Sequence, residues 1–271
     1  MTIKKQVKEL VTNLRERNPL VHNITNYVTV NDCANAILAI GASPVMADDI
    51  KETESITSIS SALVINIGTL NERTVASMLA SGKKANELNI PVIFDPVGAG
   101  ASKFRNDTAR EILKQLKVNI IRGNLSEVSF IAGLSASTKG VDVSEEDCAN
   151  DAVTIAKLAA KKYNCVVAVT GAIDIISDGK KLIKISNGHK MLSKVTGTGC
   201  MSSALVASFA GLGDDYLTAA AAGVVSMGIA GEIAYEVSKE KGLGSFHIAI
   251  IDALGKISCE LVEEMARIDE E

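Results

Sequence analysis

Residues 62–96 read ALVINIGTLNERTVASMLASGKKANELNIPVIFDP, and this stretch decides the predicted fold. Apolar runs at 62–67 and 90–94 flank residues 72–88, which carry the spacing of an amphipathic helix. Short continuous apolar runs are typical of strands buried on both faces. Strands of this kind that alternate with helices are typical of a parallel sheet covered by helices. The stretch therefore predicts a strand, a helix and a second, parallel strand.

The same alternation extends along the chain. Further strands are predicted at residues 20–24, 45–47, 118–121 and 165–170, and helices at 3–14, 29–40, 108–116 and 145–163. Asp178-Gly179 between two apolar runs predicts an antiparallel hairpin. The rest is predicted to be helical from residue 199 onward, ending in a helix at 254–267. No linker or repeat interrupts the pattern. The prediction is one α/β domain over residues 1–271, with a mostly parallel central sheet, an antiparallel edge and helices on both faces.

Composition limits the classes of partner and the compartment. Of 271 residues, 47% are hydrophobic and only 3% aromatic, so the core is aliphatic. The net charge of −4 provides no basic surface for nucleic acid. Five cysteines without a C-x-x-C pair favour a reducing compartment. The charged residues 1–17 lack the apolar core of a signal peptide, and the apolar stretch at 219–230 is too short to span a bilayer. We expect a cytoplasmic protein with neither nucleic acid nor membrane as partner.

The segment Thr196-Gly197-Thr198-Gly199-Cys200, followed by a run of small residues, carries the strongest chemical signal. A helix that starts here has unpaired N–H groups and a partial positive charge at its first turn. Glycines let an anion approach that backbone closely. The segment predicts that a phosphate or an anionic transition state is held beside Cys200. The alternatives are a tight connection and a cysteine that only fills the core.

Polar residues also follow the predicted strands, where open α/β sheets bind ligands. Asp95 is a candidate to hold Mg²⁺ through water or to orient a nucleophile, and its alternative is a helix cap. Arg122 is a candidate for a phosphate contact or a surface ion pair. The Thr170 hydroxyl suits a phosphate or a turn.

Three more candidates have equally ordinary alternatives. Glu127 lies three residues after Asn124, as in a capping box, and a metal role requires its side chain to point back toward the strand ends. Asn26 is a candidate to bind a small polar ring, and its alternative is a hydrogen bond to its own backbone. Met46 is a candidate for the wall of an apolar pocket, and its alternative is a residue that fills the core.

Several other chemistries lack support in the sequence. There is no G-x-x-x-x-G-K-[ST] segment for a phosphate-binding loop. Gly98-x-Gly100 and Gly197-x-Gly199 lack the third glycine of a dinucleotide fingerprint. The three histidines have no metal-ligand spacing.

Four segments together resemble the hydroxyethylthiazole kinase family of thiamine biosynthesis: NPLVHNITNYV at 18–28, GASPVMA at 41–47, DPVGAG at 95–100 and TGTGC at 196–200. The resemblance covers nearly the whole chain. The glycine-rich turn is shared with hydroxymethylpyrimidine kinases, whereas the asparagine-rich first segment distinguishes this family from other ribokinase-like enzymes.

This resemblance implies a ribokinase-like fold and ATP- and Mg²⁺-dependent phosphorylation of the primary alcohol of 4-methyl-5-(2-hydroxyethyl)thiazole. It also implies a homotrimer with active sites between subunits. The implied site residues are Met46, Gly197 and Asn26 for the thiazole, Arg122 and Thr170 for ATP, Asp95 and Glu127 for Mg²⁺ and its waters, and Cys200 beside the attacking hydroxyl.

Many ribokinase-like kinases carry Asp where this chain has Cys200. Our hypothesis is that Cys200 orients the hydroxyl or accepts its proton, while the backbone N–H groups of residues 197–200 contribute more to catalysis. Three alternatives stay open at this point. They are another ribokinase-like small-alcohol kinase such as a hydroxymethylpyrimidine kinase, a transferase with Cys200 as nucleophile, and a non-catalytic binding protein.

Overall fold

The computed structural model describes residues 1–134 and 145–271, apart from the side chains of 145–150, and one nine-stranded sheet runs through this part of the chain. In chain order the strands are β1 (Leu20–Ile24), β2 (Ser43–Val45), β3 (Ala62–Asn66), β4 (Val92–Asp95), β5 (Ile120–Asn124), β6 (Val166–Thr170), β7 (Asp174–Ser177), β8 (Leu182–Ile185) and β9 (Ile268–Glu270). Their order across the sheet is β2-β1-β3-β4-β5-β6-β7-β8-β9.

Strand direction confirms the predicted mixed sheet. All pairs from β2 to β6 are parallel, and the pairs from β6 to β9 are antiparallel. In the parallel part, Asn66 lies opposite Asp95 and Asn124 lies opposite Thr170. The polar residues that end these strands therefore meet at one edge of the sheet.

Helices cover both faces of the sheet, which confirms the predicted three-layer α/β/α architecture. The helices are α1 (Ile3–Arg17), α2 (Val30–Ile40), α3 (Thr53–Ser58), α4 (Glu72–Glu87), α5 (Lys103–Gln115), α6 (Leu125–Ala132), α7 (Glu145–Tyr163), α8 (Thr198–Ala210), α9 (Tyr216–Ser238), α10 (Leu243–Leu254) and α11 (Cys259–Met265). Successive residues of a strand point to opposite faces of the sheet, so they pack into two hydrophobic cores. Val64 packs with α8 and α9, whereas Leu63 and Ile65 pack on the side of α4 to α7.

The sequence prediction was wrong at the C-terminus. The helix predicted at 254–267 is instead α11, which is shorter, and residues Ile268–Glu270 form β9 against β8. Helix α10 ends at Leu254, just before Gly255. The predicted helix at 108–116 begins earlier, because the Ser102 side chain caps α5 by accepting from the Arg105 N–H. The pairing of β9 with β8 joins residues far apart in the chain, so local pattern does not reveal it.

Helix α9 is long and apolar enough to cross a membrane, and among the described helices it alone meets both criteria. The prediction that this apolar stretch is too short was therefore wrong, since the helix has 23 residues. However, 89% of its most apolar window is buried inside the protein. A Cβ added at Gly223 would lie 2.5 Å from the Val206 nitrogen, so α9 packs backbone to backbone against α8. This packing is that of a core helix.

The cysteines that the structure describes are all free thiols. Cys33 and Cys165 are buried, and Cys200 and Cys259 are partly exposed. Cys148 lies outside the residues whose side chains are described.

Candidate active site

The carboxyl ends of the parallel strands meet the first turn of α8, and this junction gathers most of the candidate residues. Asp95 and Asn66 end β4 and β3, and Arg122 lies on β5. Asn26 follows β1 and Cys200 lies in the first turn of α8. Parallel strands place their carboxyl ends at one edge, and a helix that begins there directs its N–H groups at the same space.

Asp95 is a fully buried carboxylate with one free oxygen. Its Oδ2 accepts from Asn66 Nδ2 at 3.0 Å and from Ser203 Oγ at 2.7 Å. Its Oδ1 has no hydrogen-bond partner among the described residues. Burial raises the pKa of Asp95 to about 6, although the Arg122 guanidinium, whose Nη1 lies 3.8 Å from Oδ2, opposes this shift. Asp95 is therefore mainly ionised at pH 7 and keeps one oxygen available for a ligand.

The Cys200 sulfur lies between two amide groups. Asn26 Nδ2 donates to it at 3.2 Å and Asn66 Nδ2 at 3.3 Å. Asn26 is itself held by the Thr29 hydroxyl, which donates to its Oδ1 at 3.1 Å. Burial raises the pKa of the Cys200 thiol, and the charge of Asp95 adds to this effect. Cys200 is therefore a neutral thiol at pH 7.

The first turn of α8 is shaped by two glycines. Gly197 precedes the helix with φ 89°, and a Cβ there would lie 2.7 Å from Thr29 Cγ2. A Cβ at Gly199 would lie 2.7 Å from Arg122 Nη1. No side chain of the described residues caps this helix end. The turn therefore presents open N–H groups beside a guanidinium, which is a suitable place for an anion.

A cleft of about 580 Å³ opens on the same turn. Its polar lining includes Arg122, Thr170, Thr198 and Gly199, and Arg122 Nη2 donates to Thr170 Oγ1. Its apolar lining includes Ala172, Leu192, Val224 and Met227. The volume and the mixture of apolar walls with a few polar groups are typical of a small-molecule site. The structure thus brings both predicted ATP contacts into one cleft.

Glu127 is engaged by the backbone. Its Oε1 accepts from the Gly98 N–H at 2.8 Å and its Oε2 from the Asn124 N–H at 2.8 Å. The Asn124 side chain accepts from the Glu127 N–H in return, which completes the capping box. The side chain thus points back toward the loop after β4, as a metal role requires. Within the described residues, no group of three or more His, Cys, Asp or Glu side chains is arranged to hold a metal ion.

Met46 follows the edge strand β2, at the same end of the sheet as the other candidates. It is partly buried and packs against the core on the α8 side. Its neighbour Ala47 is held by His22, whose Nε2 lies 2.7 Å from the Ala47 carbonyl oxygen.

Two residues of the site, Ser203 and Asp174, were not predicted from the sequence. Ser203, which donates to Asp95, lies three residues after Cys200, and this spacing places it on the same helix face. Asp174 lines the cleft and lies between Ile173 and Ile175 at the start of β7. The sequence signal that could have identified Asp174 is a carboxylate within an apolar run, because a buried charge needs a partner or a ligand.

The fold defines the class of protein first. A pyridoxal kinase from Staphylococcus aureus, in complex with AMP-PCP and pyridoxal, shares it with a TM-score of 0.58 and 15% identity, over 79% of this chain and 87% of that chain. At this identity the likeness concerns the fold alone. The architecture is the ribokinase-like fold that the sequence predicted.

Closer relatives define the family. The hydroxyethylthiazole kinase family profile matches residues 11–260. A hydroxyethylthiazole kinase from Ruminiclostridium cellulolyticum is 64% identical over 98% of each chain, and one from Clostridium beijerinckii is 60% identical over 98% of this chain and 97% of that one. The structure of the Pyrococcus horikoshii OT3 protein has a TM-score of 0.90 and 42% identity, over 98% of this chain and 99% of that chain. The chain belongs to the hydroxyethylthiazole kinase family.

Proposed function

We propose that this protein transfers the γ-phosphoryl group of ATP to the primary hydroxyl of 4-methyl-5-(2-hydroxyethyl)thiazole, a step of thiamine biosynthesis. One observation carries the proposal. The first turn of α8 places Thr198 and Gly199 on the cleft, while the sulfur of Cys200 on the same turn faces Asn26 and Asn66. Phosphate and alcohol would thus meet at one helix N-terminus, and family membership identifies the alcohol.

The nucleotide would occupy the 580 Å³ cleft. Arg122 and Thr170 would hold its phosphates, because a guanidinium matches phosphate oxygens in charge and geometry. The open N–H groups of the α8 turn would then stabilise the charge on the phosphoryl group during transfer. Phosphoryl transfer depends mainly on positioning and on such charge stabilisation.

The thiazole alcohol would lie on the other side of this turn, in contact with Met46, Gly197 and Asn26. Cys200 would be beside its hydroxyl. Because burial keeps Cys200 as a neutral thiol, we assign it to orienting the hydroxyl rather than to attacking as a thiolate. A loose transition state requires little deprotonation of the alcohol early in the reaction, so a strong base at this position is unnecessary.

Asp95 and Glu127 would hold Mg²⁺ and its waters. The orphaned Oδ1 of Asp95 fits this assignment, because Mg²⁺ binds carboxylate oxygen directly or through water. Each oxygen of Glu127 already accepts one N–H and keeps a second lone pair for a metal-bound water. When bound with the nucleotide, the ion would neutralise charge on the phosphates.

We also propose a cytoplasmic homotrimer with active sites between subunits. Tyr27 and Val28, directly after Asn26, are 78% and 54% exposed, which suits a surface covered by a neighbouring subunit. Light scattering of the purified protein measures the mass. A monomeric mass of 28.4 kDa at assay concentration would contradict the trimer.

The function is tested by a kinase assay with the thiazole alcohol, ATP and Mg²⁺, in which the phosphorylated product is identified by mass spectrometry. Hydroxymethylpyrimidine serves as the competing substrate. We expect a higher kcat/KM for the thiazole alcohol. A preference for the pyrimidine would favour the alternative ribokinase-like kinase, and a substrate-derived adduct on Cys200 would favour the nucleophilic mechanism. Binding of both substrates without turnover would indicate a non-catalytic protein.

A further inference from the structure

Asp174 is a buried carboxyl group that lines the cleft, and the proposed reaction gives it no role. It is 9% exposed, begins β7 and lines the cleft together with Arg122 and Thr170. Its Oδ1 accepts from the Gly171 N–H at 2.9 Å. Its Oδ2 receives no hydrogen bond from any residue that the structure describes. One oxygen is therefore fixed, while the other is available to a molecule in the cleft.

The charged groups around Asp174 suit an anion in the cleft, so an ionised carboxylate would compete there with the proposed phosphates. Arg122 on β5 is the cation whose charge acts on Asp174, and His189 and Lys190 line the cleft from the loop after β8.

The other charged groups on the neighbouring elements have partners of their own or lie elsewhere. On α9, Glu232 accepts from the Gly188 N–H and pairs with Arg267. Strand β6 has no charged residue, Lys184 on β8 pairs with Glu271, and α7 packs on the opposite face of β7. An ionised Asp174 would thus repel the phosphates that Arg122 attracts.

We propose that Asp174 is protonated in the nucleotide complex and donates a hydrogen bond through Oδ2 to a phosphate oxygen, so that nucleotide binding takes up one proton. This inference rests on the proposed function of the cleft. The Gly171 N–H holds Oδ1 as an acceptor and leaves Oδ2 as the oxygen that carries the proton. A buried acid that is kept neutral turns from a repelling charge into a donor.

The environment of the free protein agrees with this assignment. Burial raises the pKa of Asp174 to about 7, although the Gly171 N–H and the charge of Arg122 oppose the shift. A phosphate nearby would raise the pKa further, since a like charge disfavours the ionised acid. The proton is thus available near physiological pH.

Calorimetric titration of ADP in Mg²⁺-containing buffer from pH 6.5 to 8.5 tests the proposal, because ADP binding requires no turnover. For wild type we expect the Kd to rise by about tenfold per pH unit above pH 7, as one proton taken up requires. Asp174→Asn should bind ADP at all these pH values with nearly the affinity of wild type at pH 6.5, because the amide donates without a titrating proton. Asp107→Asn is the matched control, because it makes the same change at an exposed carboxylate that pairs with Lys103 outside the cleft, and it should keep the wild-type slope.

Other outcomes separate this inference from the proposed function. Equal pH dependence in wild type and Asp174→Asn would overturn the proton donor. Weak binding by Asp174→Asn at every pH would also overturn it and would indicate that the carboxylate accepts from a hydroxyl of the nucleotide. No ADP binding by wild type would instead contradict the nucleotide cleft itself.

Discussion

Asn66 Nδ2 donates to Asp95 Oδ2 at 3.0 Å, and this bond ties the carboxyl ends of two adjacent parallel strands together. The same nitrogen lies 3.3 Å from the sulfur of Cys200. Asn66 Oδ1 accepts from Asn26 Nδ2 at 3.0 Å and from the Gly68 N–H at 2.9 Å. One buried amide therefore positions the carboxylate, the thiol and a predicted substrate contact relative to each other.

Replacing Asn66 tests this positioning role. Asn66→Ala leaves Asp95 Oδ2 and Asn26 Nδ2 with one bond fewer, and we expect kcat to fall by roughly 10²-fold, the effect of losing an interaction of about 3 kcal/mol in the transition state. The KM for ATP should change much less, because Asn66 does not line the cleft. Steady-state kinetics separates the two constants.

Asn35→Ala is the matched control, since the Asn35 side chain bonds only Asn31 among the residues that the structure describes. It should leave both constants unchanged. If the activity of Asn66→Ala falls only as much as its fraction of folded protein, the kcat per folded molecule is unchanged. That result would mean that Asn66 is only structural.

Substitution of Cys200 separates an orienting group from a base. A neutral thiol that only orients the hydroxyl should be replaceable by Ser with a loss in kcat of less than about 10²-fold, the lower end of a general-base contribution. Cys200→Asp should retain activity if a base at this position is useful. A Ser variant that loses roughly 10²–10⁴-fold would contradict the orienting role. Single-turnover kinetics measures the chemical step directly.

Gly197→Ala tests the shape of the α8 turn. The new Cβ would lie 2.7 Å from Thr29 Cγ2. The alanine would also have to adopt the backbone angle φ 89°, which costs about 1–2 kcal/mol. We expect lower stability in urea and a reduced kcat/KM for the thiazole alcohol. Gly244→Ala is the control, because a Cβ there meets nothing within 4 Å. Equal effects of the two substitutions would show that the close approach at Gly197 is unimportant.

His22 predicts a pH dependence of stability. Burial lowers the pKa of His22 in the folded protein below its ordinary value of 6.5. As the pH falls below 6.5, the unfolded chain therefore binds the proton first, and the free energy of unfolding decreases. The contribution is complete above pH 6.5, and its slope is at most about 1.4 kcal/mol per pH unit.

Urea titrations between pH 5 and 8 measure this slope. His22→Gln should reduce it, because the variant has no titrating ring. Thr57→Val removes the hydroxyl that lies 2.9 Å from His22 Nδ1 and donates to the Thr53 carbonyl at 2.8 Å. It should lower the free energy of unfolding at every pH, and the slope should remain because the ring still titrates. Identical slopes in wild type and His22→Gln would exclude His22 as their source.

Much of the site was predictable because strand ends in a parallel sheet share one edge. Asn26 and Asp95 were predicted there, and the structure places Asn26 3.2 Å from Cys200 and Asp95 3.8 Å from Arg122. Their roles in binding thiazole and Mg²⁺ remain predictions. Asp174 was not predicted, because the hairpin that places it in the cleft forms part of the sheet only through pairing with β6.

By itself, the sequence determined the alternation of buried strands and helices, and the two glycines before Cys200 that allow a close backbone approach. The tertiary structure alone decided how the pKa values of the site shift. Asp95, Asp174 and Cys200 have raised pKa values because distant elements exclude water from them. Burial depends on how α8, α9 and the sheet pack, and no local pattern contains that information. The sequence thus specifies which polar groups follow the strands, and packing decides the direction in which their pKa values shift.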